Sequence, residues 1–192
     1  ENASDFAEKL DRAISEDNPD LAERRKQVAG RHTWESRYQQ IEAELIRASR
    51  RASVIIVTYN NLALTRLCLE SLFRNTEYPN YEVIVVDNNS TDDTPGYLTA
   101  LGESNENLKI ILNDTNFGFA KANNQGIRRS TGDYIVLLNN DTIVPRGWLS
   151  RLLKHLEDPK VGMVGPVTNF VGNEARVQAG YRTWAEMEEF SQ

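Results

Sequence analysis

Four short runs of β-branched and aliphatic residues constrain this chain more than any other feature: "SVIIVT" (Ser53 to Thr58), "YEVIVVD" (Tyr81 to Asp87), "LKIILN" (Leu108 to Asn113) and "DYIVLLN" (Asp133 to Asn139). They are continuous, not alternating, so each is expected to be a strand covered on both faces. Around them lie stretches that read as helices: Leu62 to Phe73, Thr94 to Leu101, Gly118 to Ser130 and Gly147 to His155. Such an alternation needs crossover connections, which predicts an α/β fold with a mostly parallel sheet and helices on both faces. "VGMVGP", Val161 to Pro166, is expected to add a fifth, shorter strand.

The residues before Arg51 have a different character, charged and rich in helix formers. Leu21, Val28, Trp34, Tyr38, Ile41 and Leu45 recur there at helical spacing, so two or three helices are expected. Asn18-Pro19-Asp20 reads as a helix start, and Gly30 followed by Thr33 as a stop and a fresh N-cap. His32 has no second ligand at a metal spacing and reads as a capping or surface residue. The expected division is a helical segment over 1–50, an α/β domain over 51–175 and a tail over 176–192.

At 192 residues the chain holds one domain of ordinary size plus an appendage. A formal net charge of -6 excludes a protein whose main task is to coat nucleic acid or an anionic membrane, so no nucleic-acid partner is expected. The single cysteine, Cys68, cannot form an internal disulfide and is expected to pack as a small hydrophobe. The apolar runs fall short of the roughly 20 residues a membrane span needs. With no signal-peptide pattern either, the expected location is cytoplasmic, for this chain or for the larger protein of which it is a soluble part.

Ligands of open α/β sheets bind at the carboxyl ends of the strands. Here the four runs lead into Thr58-Tyr59-Asn60, Asp87-Asn88-Asn89-Ser90, Asn113-Asp114-Thr115-Asn116 and Asn139-Asn140-Asp141, an unusually polar rim. The first crossover has neither a Gly-x-Gly-x-x-Gly turn nor a phosphate loop, so a bound phosphate needs another source of positive charge. Asp141, with Asn139 two residues before it, offers oxygen ligands suited to Mg2+ or Mn2+. The same triplet also suits a tight turn, and Ser90 or Thr91 suits a helix cap. An unpaired Asp87 at the end of an apolar strand is costly to bury, which a hydrogen-bonded ligand would relieve.

With these motifs in hand, the stretch from about Ala52 to Val171 resembles the inverting glycosyltransferases of family 2, which have the GT-A fold. The resemblance rests on "SVIIVTYNN", "VIVVDNNSTDDT", "NFGFAKANNQGI" and "YIVLLNNDTIVPRGWL" in that order, and the third is most similar to the rhamnosyl- and polysaccharide-assembly branch. It implies that Thr58, Tyr59 and Asn60 line a nucleotide pocket and that Asp87 and Asn88 meet base and ribose. It implies too that Gly118, after Asn116, lets the backbone approach the nucleotide, with Lys121, Asn123 and Asn124 on the following helix. Phe117 and Phe119 suit either core or pocket lining. Asn139-Asn140-Asp141 stands where the family has Asp-x-Asp, so Asp141 would hold the metal, with Asn139 a neutral substitute for the first acid and Asn140 beside the nucleotide.

The reaction so implied moves a sugar from a nucleoside diphosphate donor, UDP- or dTDP-linked, to a hydroxyl of a glycan or lipid-linked acceptor, with inversion. It needs a carboxylate base. The tail carboxylates Glu174, Glu186, Glu188 and Glu189 lie in no recognisable base motif, so the base is expected outside this chain, which is read as the donor-binding half. The N-terminal segment is similar to the closing helices of a GT-B glycosyltransferase. Two other readings are a module that holds nucleotide or a partner without transfer, and a phosphoacceptor signalling domain. The latter expects acids after the first strand, where this chain has Thr58-Tyr59-Asn60.

Overall fold

The computed structural model describes residues 3–15, 18–167 and 176–190. It divides into two compact units, Glu1–Leu45 and Ile46–Gln192. The first contains α1 (Ala3–Ser15), α2 (Pro19–Arg31) and most of α3 (Trp34–Ala48). The Asn18 side chain accepts hydrogen bonds from the amides of Asp20 and Leu21, with Pro19 in the first turn, as the sequence predicts. Helix α2 runs one residue past Gly30 and is capped at His32, and Thr33 Oγ1 accepts from the Ser36 amide to start α3. The expected apolar periodicity makes helices but not a core: none of the described residues of α1, α2 and α3 is buried, and Trp34 is 88% exposed.

The second unit is built on β1 (Ala52–Thr58), β2 (Tyr81–Asp87), β3 (Leu108–Leu112) and β4 (Tyr134–Asn139), all parallel in the order β3-β2-β1-β4. The register sets Thr58 beside Asp87 and Val57 beside Asn139, so the ends of the two central strands and of β4 form one rim. Helices α4 (Leu62–Asn75), α5 (Thr94–Glu103) and α7 (Trp148–His155) contribute Cys68, Leu69, Leu72, Leu98, Trp148, Leu149 and Leu153 to a core with Val54, Ile56, Val83 and Val85. Each such buried aliphatic or aromatic side chain is worth roughly 1.5–3 kcal/mol. On the opposite face α6 (Phe119–Arg129) lays Ala122 over Ile55, Ile84 and Val86. That approach requires Gly126, where a Cβ would lie 2.4 Å from Ile55 Cγ2.

Two expectations need correction. Only β1 and β2 are covered on both faces; β4 alternates, with Ile135 43% and Leu137 54% exposed, because α6 packs on β1 and β2 and β4 is at the sheet's edge. Val161 to Pro166 is not a strand: the segment is irregular and largely exposed, with Gly162, Gly165 and Pro166 interrupting any ladder. The tail carries one further helix, α8 (Trp184–Phe190).

One carboxylate stands apart from the rim. Glu82, at the amino end of β2 and fully buried, accepts from Ser53 Oγ at 2.6 Å, Lys109 Nζ at 2.6 Å, and the Thr131 amide and hydroxyl at 2.6 and 3.0 Å. Burial alone would raise its pKa. The Lys109 ammonium, the Ser53 hydroxyl and the Thr131 donors outweigh that and hold it at about 2.

Candidate functional site

Thr58 and Asp87 end their strands buried, and the ladder continues past them: the Asn88 amide donates to the Thr58 carbonyl at 2.8 Å and the Asn113 amide to the Asp87 carbonyl at 2.9 Å. The cost of burying Asp87 is met inside the chain. Its two oxygens accept from the Ser90 amide at 3.0 Å and the Ser90 hydroxyl at 2.5 Å. Ser90 is therefore no helix cap, and neither is Thr91. Asp92 serves both helices: one oxygen takes the Leu62 amide that opens α4 at 3.1 Å, the other the Thr94 amide that opens α5 at 3.1 Å. Hydrogen bonding from Thr94, outweighing a small loss of solvation, lowers the Asp92 pKa.

Asn60 lies at φ 57° and Asn61 at φ 61°, a conformation asparagine tolerates better than most residues. The Asn60 amide donates to Ser90 Oγ at 2.7 Å, and its side-chain oxygen accepts the Thr91 amide at 2.7 Å, so the loops after β1 and β2 are laced together. Tyr59, between them, is 52% exposed on the rim. Asn88 is buried and fully engaged: Oδ1 accepts from the Phe117 amide at 2.9 Å and Asn113 Nδ2 at 3.2 Å, while Nδ2 donates to Asn116 Oδ1 at 2.7 Å. Asn116 Oδ1 also takes the Gly118 amide at 2.9 Å, and Asn113 and Gln125 exchange two hydrogen bonds of 2.9 Å.

Gly118 has φ 76° and ψ 166°, a region essentially restricted to glycine, and a Cβ there would meet nothing within 4 Å. Its hydrogen-only side thus faces open space above α6. Lys121 Nζ stands 3.6 Å over the Phe117 ring, a cation–π contact that keeps the ammonium at the start of α6. Neither Phe117 nor Phe119 is a core residue; Phe119 is 62% exposed. The Asn123 side chain donates to the Phe119 carbonyl within α6 at 2.9 Å, and Asn124 is exposed.

Asn139-Asn140-Asp141 does form a turn, closed by the Thr142 amide on the Asn139 carbonyl at 3.2 Å, and it is also part of the rim. Asn140 Nδ2 donates to Thr65 Oγ1 at 3.0 Å and Thr58 Oγ1 at 3.3 Å, fixing β4's exit to β1. The Cys68 thiol lies behind the turn, donating to the Asn139 carbonyl at 3.5 Å. Burial, more than the Asp141 charge, pushes its pKa up to about 12, so it is a neutral donor at ordinary pH and an inert thiol. The Asp141 and Asn139 side chains are exposed and hold no hydrogen bond or ion pair to any described residue. No three His, Cys, Asp or Glu side chains converge among the described residues, and the metal ligands expected from the sequence would offer one carboxylate and one amide oxygen. That set fits a hard divalent ion that completes its shell with water and phosphate.

In the tail, Glu186 accepts from the Arg182 and Thr183 amides at 2.6 and 3.1 Å while Thr183 Oγ1 accepts from the Glu186 amide at 3.3 Å, a capping box that occupies this carboxylate. Those bonds lower its pKa. Glu174 lies outside the described residues. No helix among the described residues is long and apolar enough to cross a membrane.

A parallel sheet with helices on both faces and a polar rim at the carboxyl ends of its strands defines a doubly wound class of α/β domain, which binds its ligands at that rim. The sequence profile of Glycosyl transferase family 2 matches residues 53–191, and the chain belongs to that family. Over 120 residues it is 34% identical to Glycosyltransferase AglE of Haloferax volcanii, covering 62% of this chain and 39% of that protein. Among solved structures it resembles the mannosyltransferase PcManGT from Pyrobaculum calidifontis in complex with GDP-Man and Mn2+, with TM-score 0.55 and 29% identity, over 65% of this chain and 40% of that one. It also resembles S. aureus TarS 1-349 in complex with UDP-GlcNAc, with TM-score 0.51 and 26% identity, over 56% and 31%. The chain thus spans well under two thirds of the length of each.

Proposed function

We propose that this domain holds the nucleoside diphosphate sugar donor, UDP- or dTDP-linked, of a glycosyltransferase that acts in the cytoplasm. In the full protein the sugar passes with inversion to a hydroxyl of a glycan or lipid-linked acceptor. The observation that carries this reading is the exposed Asp141 carboxylate, without a hydrogen bond or ion pair to any described residue, at the end of β4 and beside β1 on a rim where Asp87, Asn88 and Asn140 are engaged in fixing loops. Support comes from family membership and from the resemblance to a solved enzyme holding GDP-Man and Mn2+. Tyr59, Asn116, Gly118 and Lys121 are exposed on the rim, whereas Thr58, Asp87, Asn88 and Asn140 shape the floor and Asn60 and Asn123 hold the loop and helix around it. Asp141, with Asn139, would hold Mg2+ or Mn2+. The ion, when bound, stabilises the charge of the departing diphosphate.

The test is calorimetry of UDP, dTDP and GDP with Mn2+ or with excess chelator. UDP or dTDP is expected to bind at least tenfold more tightly with Mn2+, and Asp141→Asn to remove most of that gain. Equal affinity in both media overturns the metal's role, and preference for GDP overturns the donor assignment. A second reading, a module that holds nucleotide without transfer, is favoured by the neutral Asn139 in the place of an acid and by the engagement of Glu186 in a cap. Sugar transfer by the full protein decides between them.

A further inference from the structure

One face of α4 carries an unusual polar stripe for a buried helix: Thr65, Cys68, Ser71 and Asn75, of which Thr65, Cys68 and Asn75 are buried. Each meets the segment that leaves β4. Thr65 Oγ1 accepts from Asn140 Nδ2 at 3.0 Å and lies 2.8 Å from Thr58 Oγ1. The Cys68 thiol donates to the Asn139 carbonyl at 3.5 Å. Ser71 Oγ accepts the Val144 amide at 3.2 Å, and Asn75 Nδ2 donates to the Val144 carbonyl at 2.8 Å. The stripe therefore grips residues 139, 140 and 144, on both sides of Asp141.

We propose that Thr65, Cys68, Ser71 and Asn75 are positioning residues for Asp141, so that α4 sets where the metal-holding carboxylate stands. The inference rests on the reading of Asp141 given above. Its physical basis is that the Asp141 side chain has no partner among the described residues, so its place depends on its backbone alone. That backbone has left the sheet ladder at Asn139, and these four side chains provide contacts that fix it on either side. A carboxylate held in place loses less entropy when it binds an ion than one on a free loop. Outer-shell partners of metal ligands typically alter metal affinity by 10- to 100-fold.

The experiment measures, for the whole chain, the ratio of the UDP dissociation constant in chelator to that in Mn2+, so that changes in the nucleotide pocket itself cancel. Asp141→Asn gives the floor of the ratio. Thr65→Val, of similar volume but without the hydroxyl, and Asn75→Leu are each expected to lower the ratio about tenfold, and Thr65→Ser to restore it. Hydrogen exchange of the Thr142 and Val144 amides is expected to rise in the same variants, with or without metal. Folded variants that keep the wild-type ratio overturn this inference and leave the proposed function standing. A wild-type ratio of one overturns this inference together with the metal's role in the proposed function. Should Thr65→Val and Asn75→Leu fail to fold, Cys68→Ala against Cys68→Ser, which differ at the Asn139 contact, reads the same ratio, and equality of the two at the wild-type value overturns the inference.

Discussion

Glu82 and Asp141 are both strand-end acids, and their surroundings are opposite. Glu82 is enclosed by Lys109, Ser53 and Thr131, and its pKa falls from 4.5 to about 2. A carboxyl whose folded pKa lies below its unfolded value contributes stability that is complete above the unfolded pKa and is lost as pH falls through the folded one. The window here runs from about pH 4.5 down to about pH 2, and the contribution above it is on the order of 3 kcal/mol. Glu82→Gln is expected to lower the stability of the folded chain by roughly that amount at pH 7 and to abolish this acid-dependent component, as urea titrations between pH 7 and pH 3 would detect. A variant that matches wild type at pH 7 refutes the assignment. Asp141→Asn, by contrast, changes an exposed side chain with no described partner, and is expected to shift stability by no more than about 0.5 kcal/mol.

The secondary-structure elements show where sequence reading succeeds and where it stops. β1, β2, α4 and α6 were legible because continuous β-branched runs and helical periodicity are local signals. The rim was legible too, since every strand ran into amides or acids. Strand order was not. The β4 run looks as apolar as β1, yet its position at the edge leaves Ile135 and Leu137 open. Nor was the α4 stripe, whose partners lie some 70 residues away in a turn, or the double cap at Asp92, which joins helices from two crossovers. A signal for Glu82 did exist: a lone charge inside a run covered on both faces demands a buried partner. Helices α1 to α3 are the opposite case, clear in sequence but without a buried residue among those described. At 13 to 15 residues each, they are near the limit of isolated helix stability. We propose that they are separable from the α/β unit. Deleting residues 1–45 is expected to leave the urea midpoint and cooperativity of the rest unchanged, followed by the near-ultraviolet signal of the α/β unit. A collapse of that transition would make the helices an integral layer.

On the scale of the whole molecule, the proposed function gives this chain the donor rim alone, while displacement by a hydroxyl also needs a placed acceptor and a base. The span matched here is 39% of AglE and 40% of the Pyrobaculum mannosyltransferase, so the larger part of such proteins lies beyond it. Among the described tail carboxylates Glu186 already caps α8, and withdrawing it would leave the Arg182 and Thr183 amides without that partner. A missing general base typically costs about 10²- to 10⁴-fold in rate. Loss of acceptor orientation costs more, since holding two reactants in place can lower a barrier by roughly 7–11 kcal/mol. We therefore predict that this chain transfers sugar at least about 100-fold more slowly than a chain extended past Gln192, though slow hydrolysis of the donor by water persists. The measurement compares the two with a panel of UDP- and dTDP-sugars and an acceptor glycan, scoring transfer and hydrolysis separately. Hydrolysis by the short chain that disappears in Asp141→Asn, with transfer restored by the extension, is the expected pattern. Equal transfer by both chains would put the base within these 192 residues, and because Glu186 is held in its cap, Glu174 would be the first carboxylate to replace.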